Sequence, residues 1–311
     1  ERVQKDIITL LGLSQCRLFI GSFDRPNLEF RIEEPSDPDT YVLNYARNHK
    51  GRSGIVYAST RRKVENLYYF LRNNGIKAGM YHAGLTAEQR NRHQDSFIND
   101  NITIMVATNA FGMGIDKSDV RYIIHYNMPM SMESYYQEAG RAGRDGRKAV
   151  CILLKNDDDY SLNKFIISGN YPPVKAVENL FNRVQKRKIS GIPTEVILSR
   201  KTAGTNMRES ALRKVIEYGY VQIRNGVAFP TEKDRFKLTQ KDIDRHKEEE
   251  LTKLDIMDHY FDEKTCLRSY ILRYFNEEPE EERCGNCSIC YRSQGKDSKL
   301  MNQLLSNIFG K

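Results

Sequence analysis

The sequence predicts an α/β protein: a parallel sheet with helices on both faces, then a winged-helix-like basic module, then a helical subdomain carrying a cysteine cluster. Three observations predict it. Between residues 27 and 157, short apolar runs of strand length alternate with amphipathic stretches of helix length, a pattern whose strands run parallel under covering helices. Between 171 and 238, three helical patterns precede two short apolar runs placed around Asn225-Gly226, a strong hairpin signal. Beyond 239, a long helical pattern leads to Cys266 and then to Cys284, Cys287 and Cys290 at C-x2-C-x2-C spacing.

A chain of 311 residues suggests two or three domains. With 39% hydrophobic and 29% charged residues it can bury a real core. No apolar run approaches membrane-spanning length and no secretory segment opens the chain, so a membrane role is set aside and a cytoplasmic, nucleoid-associated location is expected. Three of the six cysteines fall within seven residues, which points to metal in a reducing compartment rather than to disulfides. The net charge of +8 is concentrated: residues 171–238 hold 14 Lys and Arg against 6 Asp and Glu, and the remainder balances at 35 of each. A positive excess confined to one segment points to a nucleic-acid partner there. The first residue, Glu1, suggests a piece of something longer.

In chain order, Glu1–Leu13 reads as an amphipathic helix with Val3, Ile7, Ile8 and Leu11 on one side, and Phe19-Ile20 leads into Ser22–Asn27 (SFDRPN). Ile55-Val56-Tyr57 is a buried strand, and Arg61–Asn73 a helix with Val64, Leu67, Tyr68 and Leu71 inward. Ala78–Tyr81 is a strand, and Thr86 with Gln89 forms a capping box for the next helix. Ile102–Ala107 is a strand, followed by a turn containing Gly112 and Gly114, a strand at Tyr122–His125 and a helix opened by Ser131. Then Arg141 and Arg144 sit among Gly140, Gly143 and Gly146. Small residues keep the backbone low there, so the two guanidinium groups can lean toward a facing phosphate. Ser59, Thr60, Arg61, His82 and Thr108 fall near strand ends, where ligands collect in open α/β sheets. Turn and cap chemistry is an equal alternative for Ser59, Thr60 and Thr108, and a structural role for His82.

A helix over Asp157–Ser168 leaves the sheet and is broken by Tyr171-Pro172-Pro173. Val174, Val177, Phe181 and Val184 make one helical stripe, Thr194–Arg200 a short second helix, and Asn206 with Glu209 caps a third whose inner face is Ala211, Leu212, Val215 and Ile216. Strands follow at Tyr220–Ile223 and Val227–Phe229. Arg208, Arg213 and Lys214 decorate the outer side of the third helix, and Lys186-Arg187-Lys188 follow the first. These residues read as duplex contacts, the alternative being a solvated basic face. The hairpin tip carries no aromatic residue, which speaks against a strand-separating wedge. Thr239–Phe275 is helical with Leu251, Leu254, Ile256 and Met257 inward, and an acidic loop (Glu277, Glu278, Glu280, Glu281, Glu282) precedes the last three cysteines. Cys266, Cys284, Cys287 and Cys290 supply four soft ligands for a closed tetrahedral zinc site; an iron–sulfur cluster is the alternative. Cys16 and Cys151 flank apolar residues and read as core.

Four stretches carry a resemblance: Gln137–Gly146 (QEAGRAGRDG), Ala107–Lys117 (ATNAFGMGIDK), Tyr81–Leu85 (YHAGL) and Ser22–Asn27 (SFDRPN) resemble motifs of the RecQ-type DNA helicases of superfamily 2. The resemblance implies that 1–26 is the end of a first lobe and its linker, 27–157 the second RecA-like lobe, 158–170 a connecting helix, 171–238 a winged-helix-like insert, 239–293 the zinc subdomain and 294–311 a tail. No G-x-x-x-x-G-K-[ST] loop and no Asp-Glu-x-His occurs in the chain, so most of the first lobe is missing and the chain alone is expected to lack ATPase activity. ATP and Mg²⁺ would be shared with that lobe, Arg144 and Arg141 acting as arginine fingers, Gln137 beside the same phosphate, and Gly114 and Asp116 at the nucleotide. Single-stranded DNA would run past Ser59, Thr60, Arg61, His82 and Thr108, and forked duplex would meet the insert. Zinc would be structural, and the whole enzyme would unwind DNA 3′ to 5′ in recombination and repair. The sequence departs from the family in one respect: RecQ enzymes usually carry a winged helix after the zinc subdomain, whereas here a module precedes it. The competing class is a nonenzymatic zinc-containing DNA-binding regulator that uses a helicase-like lobe as a platform. An RNA-unwinding enzyme is weaker, because Gln137-Glu138 stands where RNA helicases of the superfamily usually have a histidine-arginine pair.

Overall fold

A computed structural model describes residues 7–13, 17, 21–112, 117–198 and 205–293, with the side chains of 205, 206 and 293 left aside. Six strands, β1 (Leu28–Glu33), β2 (Ser53–Tyr57), β3 (Ala78–Tyr81), β4 (Ile104–Ala107), β5 (Val120–His125) and β6 (Ala149–Leu154), pair in parallel in the order β1-β6-β5-β2-β4-β3. Parallel strands need cover on both faces, and β2 is buried at every residue. Alternation along β5 shows the two faces: Tyr122 and Ile124 join α1 (Pro38–Asn48) and α2 (Arg61–Asn73), while Ile123 joins Phe97 of α3 (Ala87–Ile98) and Met132 and Tyr135 of α4 (Met132–Ala139). The capping box of Thr86 with Gln89 is present at α3. The strand expected from Ile102 begins at Ile104, and the one expected from Tyr122 begins at Val120.

After β6, α5 (Asp158–Asn170) leads to the insert, α6 (Val174–Gln185), β7 (Ile192–Pro193), α7 (Thr194–Leu198), α8 (Thr205–Glu217), β8 (Val221–Arg224) and β9 (Val227–Pro230). Its antiparallel strands lie in the order β7-β9-β8, and Val177, Phe181, Val184, Ile197, Leu212 and Val215 give it a core of its own. That is a winged-helix-like unit. The short β7, which the sequence does not announce, turns the expected hairpin into a three-stranded sheet. Ile216, expected inside, is 39% exposed.

The helical pattern expected over Thr239–Phe275 is two helices, α9 (Gln240–Phe261) and α10 (Leu267–Tyr274), followed by α11 (Ser288–Ser293). Leu254, Met257 and Tyr260 of α9 and Leu267 and Ile271 of α10 belong to the same buried cluster as Phe30, Ile123 and Tyr135. The cysteine-bearing subdomain therefore shares a core with the sheet rather than standing apart. At the N-terminus, Ile7 and Leu11 are exposed instead of packed. Val3, Cys16, Phe19-Ile20, the residues past Leu198 in the predicted second helix, and the tail from 294 lie outside the described residues, as does the Asn206 side chain expected to cap α8.

Candidate functional site

The carboxyl ends of β2, β3, β4 and β5 line one edge of the sheet, and the residues after them are those expected to meet a ligand. One hydroxyl and two amides among them are occupied within the protein. The Thr60 hydroxyl accepts from Lys63 N at 3.2 Å and caps α2, Ser59 N donates to Asn127 Oδ1 at 3.1 Å, and Thr108 N donates to Tyr81 O at 3.1 Å. Arg61 is exposed on the first turn of α2. His82 sits as the structural alternative has it. It is 2% exposed, its Nδ1 accepts from Gly84 N at 3.2 Å, and Nε2 faces Glu65 at 3.2 Å. Burial pushes its pKa down, and its bond from Gly84 N lets the ring shape the Tyr81–Leu85 turn.

One node at this edge is not evident from the sequence. Buried Asp159 accepts from Asn127 Nδ2 and from Met128 N, both at 2.7 Å, and Asn163 Nδ2 donates to Met128 O at 2.8 Å. These bonds pin the loop after β5 to α5 and leave a small cavity of about 110 Å³ bordered by Ser59, Asn109, Asn127 and Ser134. The only hint in the sequence is the run Asp157-Asp158-Asp159, of which the third residue turns inward.

The glycine–arginine segment follows α4, whose N-terminus is capped by Ser131 accepting from Ser134 N at 3.2 Å. Gln137 is exposed, whereas Glu138 turns inward and lies 2.9 Å from Nε2 of buried His125. Arg141 is half-buried and donates to the carbonyl of Gly112. A Cβ at Gly112 would overlap that guanidinium, and the backbone there has φ +130°, so glycine is required twice over. Arg144 is exposed. Asp145 pairs with Arg121 at 2.7 Å, so the two carboxylates nearest in sequence to the arginines are engaged by His125 and Arg121. The SFDRPN segment meets this motif: Asn27 Nδ2 donates to Gly143 O at 2.8 Å, and Arg25 Nη2 donates to Gly143 O at 3.0 Å and Ala142 O at 3.1 Å. The predicted nucleotide contacts Gly114 and Asp116 lie outside the described residues. Just beyond them, buried Lys117 bridges Asp100 at 2.7 Å and Asp119 at 3.0 Å.

Sγ atoms of Cys266, Cys284, Cys287 and Cys290 all lie within 4.8 Å of one another. Thiolates at about 2.3 Å from one tetrahedral ion stand about 3.8 Å apart, so the set fits a single zinc; an iron–sulfur cluster puts its thiolates on different irons and spreads them. Backbone N–H groups support thiolate character: Cys284 N donates to Cys266 Sγ and Asn286 N to Cys284 Sγ, both at 3.3 Å, and Cys290 N to Cys287 Sγ at 3.4 Å. Among the four thiols, hydrogen bonds with Cys284 and then Cys287 draw that of Cys266 down, the bond with Cys266 pushes those of Cys284 and Cys287 up, and burial pushes up that of Cys290. All four positions come from protein, leaving none for a reacting water. Cys151 lies apart in the core, its thiol pushed up to about 12 by burial.

This cysteine loop also covers β1, the edge of the sheet. Phe30 bridges to Cys287 in parallel fashion, Ile32 N donates to Ser288 Oγ at 3.3 Å, and Asn286 Nδ2 donates to Leu28 O at 3.2 Å. Buried Arg268 pairs with Asp24 at 2.5 Å and donates to the carbonyls of Leu28 and Pro26. Edge strands need such cover against unwanted pairing.

On the insert, Lys186, Arg187 and Lys188 are exposed in the turn after α6, and Arg208 is half-buried. The outer side of α8 is a correction. Lys214 is 7% exposed, pairs with Glu217 at 2.9 Å and lies 4.3 Å above the Tyr171 ring. Arg213 Nη2 donates to Asn170 Oδ1 at 3.1 Å, and Ser210 Oγ to Gly169 O at 2.6 Å. Residues three and four apart share a helix face, so Ser210, Arg213, Lys214 and Glu217 together dock α8 on the end of α5.

Among known families, residues 38–146 match the helicase conserved C-terminal domain and residues 231–291 match the RecQ zinc-binding domain. The ATP-dependent DNA helicase RecQ of Pasteurella multocida is 43% identical over 178 residues, covering 57% of this chain and 28% of that protein. Its counterpart in Haemophilus influenzae is 44% identical over 176 residues, covering 56% of this chain and 28% of that protein. The probable ATP-dependent DNA helicase RecS of Bacillus subtilis is 30% identical over 312 residues, covering 95% of this chain and 59% of that protein. The chain thus spans little more than a quarter of the two RecQ relatives, 28% of each.

Proposed function

Since this chain belongs to the RecQ-type helicases of superfamily 2, we propose that it supplies the second motor lobe, a DNA-binding insert and a zinc subdomain to an ATP-dependent DNA helicase that unwinds 3′ to 5′ in recombination and repair. The observation that carries this reading is the junction of three motor segments at one place: Arg141 holds the Gly112 carbonyl, while Arg25 and Asn27 hold the backbone of Ala142 and Gly143. That junction fixes the segment from which exposed Arg144 projects.

ATP with Mg²⁺ would be held chiefly by the first lobe. Arg144 would reach its γ-phosphate and offset the charge that develops on transfer, an action worth roughly 10³ to 10⁵ in rate in other nucleotide hydrolases. Gln137, exposed on α4, would face the same phosphate. Arg141, tied to Gly112, would couple the finger to the loop containing Gly114 and Asp116, and from there to single-stranded DNA along Ser59, Thr60, Arg61 and Thr108. Zinc at Cys266, Cys284, Cys287 and Cys290 would hold the edge of the sheet and catalyse nothing. The cell compartment consistent with this work is the bacterial cytoplasm, at the nucleoid. In a protein containing both lobes, Arg144→Ala should abolish DNA-stimulated ATP hydrolysis while sparing DNA affinity. Retained turnover would refute the finger role, and this chain without the first lobe should hydrolyse no ATP.

A further inference from the structure

We propose that the insert meets nucleic acid through a basic saddle where the turn after α6 adjoins residues 231–238, and not through helix α8; its occupant is the phosphate backbone of forked or duplex DNA. The inference rests on the reading that the insert binds DNA and locates where it does so.

Two stretches distant in sequence form the saddle. Gln185 Nε2, at the end of α6, donates to Lys233 O at 3.0 Å, and the Phe236 ring packs 5.5 Å from Phe181 of α6 and 5.2 Å from Tyr220. Lys237 N donates to the Tyr220 hydroxyl at 3.0 Å, and Leu238 is buried. With Phe236 and Leu238 turned inward, Lys233, Arg235 and Lys237 remain exposed beside Lys186, Arg187 and Lys188. Six cations thus stand against two carboxylates, Glu232 and Asp234, in these stretches. Lys233 is held by its bond to Tyr218 O at 2.8 Å, above the Tyr220 ring. Among the described residues, Lys186, Arg187, Lys188, Arg235 and Lys237 make no ion pair. An open hollow of about 600 Å³ lies among Tyr220, Lys233, Asp234, Arg235 and Lys237, three cations against one carboxylate. Neighbouring cations without ion-pair partners repel one another, and a polyanion relieves that repulsion. On helix α8, by contrast, Lys214 is paired with Glu217 and Arg213 is tied to Asn170, which leaves Arg208 as the one cation there outside the docking contacts.

The test is anisotropy of labelled forked DNA with the 311-residue chain across a salt series from about 50 to 200 mM. Three variants are compared with the parent: Arg187→Gln/Arg235→Gln/Lys237→Gln, Arg208→Gln/Arg213→Gln, and all five substitutions together. Loss of three phosphate contacts should make the slope of log K against log salt shallower by roughly 2.7, at about 0.9 per contact, while the α8 pair leaves it unchanged. Loss confined to the α8 pair, or seen only in the combined variant, overturns the saddle and leaves the insert as a DNA-binding module. Unchanged binding in all three removes the saddle and the DNA-binding reading of the insert together. Polyglutamate displacing DNA as well as competing DNA does, charge for charge, would overturn the choice of DNA as occupant. Melting curves matching the parent confirm that the substitutions, including those at half-buried Arg208 and docked Arg213, leave the fold intact.

Discussion

Replacing Arg268 with Ala isolates the clamp between the cysteine loop and the segment that leads into the sheet. The Arg268 side chain is 8% exposed, pairs with Asp24 at 2.5 Å and donates to the Leu28 carbonyl. Hydrogen bonds to a charged group contribute about 1.5–3 kcal/mol each. Two circumstances hold the sum toward the low end: Asp24 is 38% exposed and regains water, and Leu28 O keeps its bond from Asn286 at 3.2 Å. A local loss of roughly 2–3 kcal/mol follows, which is about 30- to 150-fold in an opening equilibrium. Hydrogen exchange followed by mass spectrometry should show that acceleration in residues 21–33, with bound zinc unchanged. Arg268→Lys keeps a charge for Asp24 but cannot span both partners, so it should recover only part of the protection. Acceleration below about threefold, or acceleration that appears only when zinc is lost, would refute the clamp.

Two further substitutions probe neighbouring parts of the same argument. Gly112→Ala puts a Cβ into the Arg141 guanidinium at φ +130°, so in the two-lobe protein it should lower ATP hydrolysis by at least roughly tenfold, about 1.4 kcal/mol, and should be non-additive with Arg141→Ala; full turnover would show that the contact is dispensable. Cys287→Ser removes a metal ligand that also bridges to Phe30, so limited proteolysis should find insoluble or protease-sensitive protein, cut first near β1. A folded, zinc-free variant that still binds DNA would contradict the structural role of the metal.

Much of the fold is legible because its signals are local. Alternating apolar runs announce β2 to β5, Thr86 and Gln89 announce the start of α3, and Asn225-Gly226 announces the turn between β8 and β9. What the sequence conceals depends on distant partners. Strand β1 alternates Leu28, Phe30 and Ile32 with Glu29, Arg31 and Glu33, which fits a strand with one covered face, but nothing in that pattern says that β6 and the cysteine loop flank it. The division between motor lobe and cysteine subdomain, natural from the linear order, dissolves because α9 and α10 complete one face of the sheet. Charge misleads in a similar way. A histidine such as His82 and a lysine such as Lys214 are written identically whether they face solvent or a buried partner, and only Glu65, Glu217 and Tyr171 decide.

That last ambiguity bears on how the insert can serve a motor. A winged-helix-like unit with its own core could hang from α5 by a single covalent connection at each end. Instead α8 uses Ser210, Arg213 and Lys214 to grip Gly169, Asn170 and Tyr171, at and just beyond the end of α5. Helix α5 in turn is tied through Asp159 and Asn163 to the loop after β5, at the edge where the strand ends gather. A chain of contacts therefore runs from the carboxyl edge of the sheet to the insert. Arg213 and Lys214 on α8 belong to that chain, whereas the cations on the turn after α6 and on 233–237 stand outside it. On the proposed reading, docking and recognition fall on different parts of one small domain, and the orientation of the basic saddle relative to the sheet follows from the residues that dock α8.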